Sequence, residues 1–179
     1  SDSSNSSLLN RATQGAYPPG SIFKVVDALA YMRKNGTIDN FSYNCTGSIT
    51  VDNHTIPCFG GEVHGSEDFT TAFAESCNTA FTQIGLDLGG SNLQKTAEDL
   101  LFNKKLPIPI DYTKSKFDLG STPGNPLLMQ TSIGQGNTLV SPMHMALITS
   151  AIANDGKLMQ PYYIDRVETI NGTKVKSTK

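Results

Sequence analysis

The chain lacks the marks of a nucleic-acid-binding or membrane-spanning protein. Its 14 Lys and Arg stand against 16 Asp and Glu, a formal net charge of −2, and no block of basic residues breaks that balance. Nucleic acid and anionic membrane surfaces are therefore poor partners. The longest largely apolar stretch, Met143 to Ala153, is too short and too interrupted to span a bilayer. The opening SDSSNSS is polar and unlike a leader, so any natural anchor or leader is expected outside this piece. Cysteine and histidine are scarce, three of each. Cys45 and Cys58 flank TGSITVDNHTIP, which reads as a hairpin turning near Asp52–Asn53 and could bring the two thiols together. A disulfide in an oxidising compartment and a pair of small buried residues satisfy that pattern equally. His54 and His64 fit no usual zinc-ligand spacing, so no metal site is expected, and nothing calls for a cofactor.

What is present suits one domain with a sizeable core. Residues 21–35 form the clearest helix, with a broad apolar surface around Phe23, Val26 and Ala30, basic residues in its last turn and Gly36 to close it. A weak hairpin over 44–59 follows, then the Gly-rich FGGEVHG. Ser66 reads as the N-cap of a short helix running to about Glu75. A second helix starts near Asn78 and stops at Gly89–Gly90, so Ser76-Cys77-Asn78 falls at a helix–helix joint. A third spans about Asn92 to Phe102. Pro107 and Pro109 make 103–126 a long loop. TSIGQGN is a second Gly-rich turn, Ser141-Pro142 opens a helix that NDG ends, and the tail is a hairpin around Asn171-Gly172. No repeat is found.

Ser21 and Lys24 stand three residues apart at the start of the first helix. With 17 Ser and 11 Lys, about one Ser-x-x-Lys is expected by chance, and one occurs. Ser-x-Asn occurs at Ser3–Asn5, Ser42–Asn44 and Ser76–Asn78, so the tripeptide alone carries no weight either. Context separates Ser21 from chance. Pro18-Pro19-Gly20 holds the chain extended and then lets the helix begin, leaving the Ser21 hydroxyl and N–H at a helix N-terminus, where unpaired donors can stabilise an oxyanion. Lys24 lies on the same face, within reach of Ser21. An amine turned inward among apolar residues resists ionisation and can act as a general base. The alternative is that Ser21 only caps the helix while Lys24 snorkels to water.

Three longer stretches add to this: LLNRATQGAYPPGSIFK, HGSEDFTTAFAESCNTAF and SIGQGNTLVSPMHMALITSAIANDGKLMQP. In that order, over roughly residues 8–165, they resemble the penicillin-binding protein transpeptidase domain, most of all its monofunctional, membrane-anchored class. That family pairs a Ser-x-x-Lys helix with a Ser-x-Asn loop. The resemblance implies an α+β, mostly helical fold. This would be the helical subdomain of a penicillin-binding and serine β-lactamase-like transpeptidase, with small hairpins and an incomplete central sheet. It implies a nucleophile at Ser21, its base at Lys24, a proton relay at Ser76, and at Asn78 an amide that holds the substrate and steadies Lys24. Cys77, in the variable middle position, reads as a small buried filler. Gly134-Gln135-Gly136 reads as a structural turn, and His64 and Gly65 receive no chemistry. The implied partners are peptidoglycan stem peptides, β-lactams and division or elongation proteins, on the extracytoplasmic face of a bacterial plasma membrane. Any membrane contact would run through an anchor that this chain lacks.

The match departs from the family at its third motif, Lys-Thr-Gly or Lys-Ser-Gly. Gly172-Thr173-Lys174 is reversed, and Lys176-Ser177-Thr178-Lys179 has no Gly. The expected organisation is a partial transpeptidase domain over 1–179: an N-terminal loop (1–16), a helical core (17–165) and a truncated hairpin (166–179). Such a chain is expected to be weak or inactive alone. A class A β-lactamase would need a later Glu as deacylation base, and none occurs between Glu98 and Glu168. A β-lactam sensor or class D-type hydrolase, and a non-catalytic homologue binding cell-wall partners, stay open as alternatives.

Overall fold

The computed structural model describes residues 9–177. The SDSSNSS opening, expected as a loop, and the last two residues of the chain lie outside them. Tyr17 makes an isolated antiparallel bridge with Val140. Gly20–Phe23 then wind into one 3-10 turn that runs directly into α1 (Lys24–Asn35). The helix ends where expected, at Gly36 with φ 75°, whose N–H returns to the Met32 carbonyl. A left-handed residue here is the usual helix stop, and glycine takes it without strain.

Next come β1 (Ser42–Cys45), the hairpin β2 (Ser48–Val51) and β3 (His54–Pro57), and β4 (Gly65–Asp68). β1 pairs antiparallel with β4, and β2 with β3. Asp52 and Asn53 both have positive φ, as a two-residue hairpin turn with the sheet's own twist requires. Ser66 does not cap the following helix. It lies in β4 opposite Asn44, and Asp68 is the cap, its carboxylate accepting from the Thr71 N–H. Both residues are good caps, and the pairing of β4 with β1 moves the helix start two residues on.

α2 (Phe69–Ala74) is short. α3 (Asn78–Asp99) is two helical stretches joined at Gly89, whose φ of 73° and ψ of 163° break the run where Gly89–Gly90 was expected to. α4 (Asn125–Ser132) occupies residues read partly as loop and partly as Gly-rich turn. Gly124 and Pro126 begin this helix rather than break one, because the missing proline N–H falls in the first turn. α5 (Pro142–Ala153) starts at Ser141, whose hydroxyl accepts from the His144 N–H. The tail is the exposed hairpin β5 (Arg166–Glu168) and β6 (Lys174–Ser177).

The core lies where α1 and α4 pack on α3. Phe23 stacks on Phe117 at 5.8 Å and meets Phe102 edge-on at 6.0 Å, so the residue before Lys24 is clamped by the loop after α3. His144 closes that region. Its Nε2 lies 2.7 Å from the Leu100 carbonyl and its Nδ1 2.7 Å from Ser115 Oγ. A carbonyl can only accept, so Nε2 carries the proton and Nδ1 accepts from the Ser115 hydroxyl. Protonating Nδ1 would force the Ser115 hydroxyl to turn from donor to acceptor and would bury a charge, and burial already holds the His144 pKa below its ordinary value. The folded state therefore binds this proton less readily than the unfolded chain, and stability falls as pH drops below about 6.5. The thermal midpoint should fall between pH 7 and pH 5 by more in the parent chain than in His144→Gln. An equal decline in both would remove His144 as the cause.

Candidate active site

The turn between α2 and α3 sets the site. Phe73 and Ala72 carbonyls accept from the Ser76 and Cys77 N–H groups, at 3.1 and 2.9 Å, and Ser76 has φ 53°. This is a Schellman helix ending with serine in the left-handed position that glycine usually fills. Cys77 then caps α3, its sulfur accepting from the Ala80 N–H, which places Asn78 at the first residue of that helix. The Ser76 carbonyl, the Ser76 hydroxyl and the Asn78 amide oxygen thus converge on one point.

Lys24 fills that point. The residue is only 2% exposed, and its amine donates to the Ser76 carbonyl, to Ser76 Oγ at 3.0 Å and to Asn78 Oδ1 at 2.8 Å, and lies 5.5 Å from the centre of the Phe81 ring. Asn78 is fixed in turn by donating to the Pro57 carbonyl at 3.1 Å. Burial lowers the Lys24 pKa, partly offset by the charges of Cys77, Cys58, Asp27 and Glu67. Asp27, one turn along α1, is fully buried with neither carboxylate oxygen hydrogen-bonded among the described residues, and burial raises its pKa well above the usual range.

The structure brings together all four residues singled out from the sequence, with one difference in how they meet. Lys24 was expected within reach of Ser21, yet its three N–H bonds all go to the Ser76–Asn78 turn, and none reaches Ser21 among the described residues. Three donated bonds describe the charged amine. A neutral amine has two hydrogens and one lone pair, so losing a proton frees one direction for a new partner. Ser21 itself is exposed, and it lines a cavity of about 360 Å³ with Lys24, Ser76, Phe73 and Met145. Two roomier grooves lie elsewhere on the surface, and none of the four residues lines them.

The Ser21 turn is held from behind by the second Gly-rich turn. The Gly20 N–H donates to the Gly134 carbonyl at 2.9 Å. A Cβ on Gly134, whose φ is 71°, would lie 1.9 Å from the Gly20 carbonyl oxygen. Gly134→Ala should therefore destabilise the fold by about 2–5 kcal/mol, combining left-handed strain with overpacking. Chemical denaturation measures this, and a loss under 1 kcal/mol, roughly a surface-like change, would show that the contact is not tight.

Four further residues converge beside the site although their spacing gave no sign of it. The ligand atoms of Cys45, Cys58, His64 and Cys77 all lie within 4.8 Å of one another. All three cysteines are buried free thiols, with the Cys45 and Cys58 sulfurs 3.6 Å apart. Sequence spacing missed the group because the end of β1, the residue after β3, the residue before β4 and the α2–α3 turn each contribute one member.

An exposed serine on a helix-opening turn, facing a buried lysine held by a Ser-x-Asn turn, is the arrangement of the serine–lysine acyl enzymes. The chain belongs to the penicillin binding protein transpeptidase domain family, which it matches over residues 1–179. It is 32% identical to peptidoglycan D,D-transpeptidase PbpA of Mycobacterium tuberculosis over 183 residues, 99% of this chain and 37% of PbpA. The solved ceftriaxone acyl-enzyme complex of penicillin-binding protein A from M. tuberculosis superposes with a TM-score of 0.86 at 29% identity, over 99% of this chain and 40% of that one. The D,D-transpeptidase domain of a peptidoglycan glycosyltransferase from Eggerthella lenta gives 0.88 at 28% identity, over 99% and 46%. Penicillin-binding protein 2 of Helicobacter pylori, solved in complex with MreC, gives 0.77 at 27%, over 86% and 30%. The fold is thus the α+β, largely helical part of the transpeptidase fold, and the chain spans less than half the length of each of these relatives.

Proposed function

We propose that this chain supplies the acylation half of a peptidoglycan D,D-transpeptidase. The observation that carries the reading is the buried Lys24 amine, held by Ser76 and Asn78 at the wall of the cavity that Ser21 enters. Ser21 Oγ attacks the carbonyl carbon of a D-Ala-D-Ala stem peptide and passes its proton to neutral Lys24. Lowering of the Lys24 pKa by burial makes that neutral form easier to reach than in an exposed lysine. The tetrahedral intermediate collapses with loss of the terminal D-Ala, whose amine takes a proton from Lys24 by way of the Ser76 hydroxyl. Asn78 holds the peptide's amide, and the amine of a second stem peptide then resolves the ester to give the cross-link. A β-lactam enters by the same attack, and its opened ring stays on Ser21. This chemistry belongs on the extracytoplasmic face of the cell envelope. Division or elongation proteins are the expected partners, in keeping with the MreC complex of the H. pylori relative.

No Lys-Thr-Gly or Lys-Ser-Gly occurs in the chain. A strand bearing that motif would supply the second oxyanion donor and a cation for the substrate carboxylate. Loss of one oxyanion donor commonly costs about 10²–10³ in rate. Fluorescent penicillin and intact-mass measurement, on this chain and on one extended through such a strand, test the reading. A stable adduct on Ser21 that forms far faster in the extended chain supports it. Rapid turnover of the adduct would instead mark a β-lactamase, and no adduct in the extended chain a non-catalytic homologue.

A further inference from the structure

We propose that Cys45, Cys58, His64 and Cys77 bind one zinc ion in a closed, structural site. A tetrahedral zinc with Zn–S near 2.3 Å and Zn–N near 2.05 Å sets its sulfurs about 3.8 Å apart and each sulfur about 3.5 Å from the nitrogen. The Cys45 and Cys58 sulfurs are 3.6 Å apart, and those of Cys58 and Cys77 are 3.8 Å apart. His64 Nδ1 lies 3.3 Å from Cys45 Sγ and 3.8 Å from Cys58 Sγ. These are four of the six edges of a metal-sized tetrahedron with three thiols and one imidazole at its corners, and the other two, from Cys77 to Cys45 and to His64, are no longer than 4.8 Å. Soft thiolates in that geometry select zinc over the hard oxygen-seeking cations.

The surroundings fit thiolates as well. Thr79 Oγ1 lies 3.2 Å from Cys45 Sγ, 3.3 Å from Cys77 Sγ and 3.6 Å from Cys58 Sγ, and the Ala80 N–H points at Cys77 Sγ at 3.4 Å. These donors are the outer partners that metal-bound sulfur takes. On binding, the three thiols release their protons to solvent, and the complex carries one negative charge. The Lys24 amine is bonded to the residues on either side of Cys77.

A disulfide is the competing use of these groups. It would take two of three sulfurs and leave the third, with His64, unexplained. Zinc uses all four. It would also tie β1, the end of β3 and the loop before β4 to the middle residue of the Ser76–Asn78 turn, holding Ser76 in its left-handed conformation. Metal binding stands apart from the acylation reading, whereas this positioning effect rests on it.

The test uses the protein at its natural length, purified without chelator. Elemental analysis should give one zinc per chain. Cobalt(II) added to metal-stripped protein should give the intense visible bands of a tetrahedral thiolate complex. Thr79→Val keeps the packing but removes the hydroxyl, and should weaken zinc about 10–100-fold. Cys58→Ser should weaken it further. Stripped protein should acylate more slowly than reloaded protein. The proposal is overturned if wild type holds no zinc and gives no cobalt spectrum, or if peptide mapping shows a native disulfide joining any two of the three cysteines. Zinc bound without any acylation would uphold the site and sink the transpeptidase reading instead. Equal acylation with and without metal would remove the positioning effect.

Discussion

Ser21→Ala should abolish every covalent penicillin adduct while leaving the fold unchanged. The Ser21 hydroxyl is exposed and has no hydrogen-bond partner among the described residues, so removing it costs the fold little, within about 0.5 kcal/mol. The turn around it is set by backbone contacts, Gly20 to Gly134 and Tyr17 to Val140, which the substitution does not touch. Intact mass after incubation with a β-lactam is the measurement, in a chain extended through a Lys-Thr-Gly strand. An adduct that survives in Ser21→Ala would move the nucleophile elsewhere.

Lys24→Met should slow acylation by about 10²–10⁴, the usual worth of a general base. Methionine matches the length of the stem and keeps the packing beside Phe81, but the Ser76 and Asn78 oxygens lose their donor. Each buried acceptor left alone costs about 1–3 kcal/mol, offset by no longer burying an amine. Stability should therefore change far less than rate. The pH profile carries the sharper signature. With the folded pKa below the ordinary lysine value of 10.5, the neutral base should accumulate, and the rate rise, at lower pH than an exposed lysine would give. Acylation in Lys24→Met within tenfold of the parent, or a rising limb at the ordinary lysine pKa, would exclude Lys24 as base.

Much of the local structure was legible because it depends on local signals. The first helix, the Asp52–Asn53 hairpin, the break at Gly89–Gly90, the Ser141 cap and the tail hairpin each follow from turn and cap chemistry within a few residues. The departures came from pairing at a distance. Ser66 and Asp68 compete as caps, and only the partnering of β4 with β1 decides between them. α4 was obscured because its opening Pro126 and closing Gly134 both read as breakers. The partnering of Lys24 with Ser76 and Asn78 rather than Ser21 depends on the crossing of α1 and α3, which periodicity does not encode. The thiol–imidazole cluster was the least legible, since its four members span 33 residues and belong to four segments.

Ser76 adopts a backbone conformation that glycine would take without strain, at a cost of roughly 1–2 kcal/mol to any other residue. A stability-minded redesign of the chain would mark this position for Ser76→Gly, since glycine is the preferred helix terminator there. That change would ease the backbone and delete the hydroxyl that Lys24 holds. On the proposed acylation mechanism, robustness and reactivity then pull one codon in opposite directions, and the position most inviting to a protein engineer is one to leave alone.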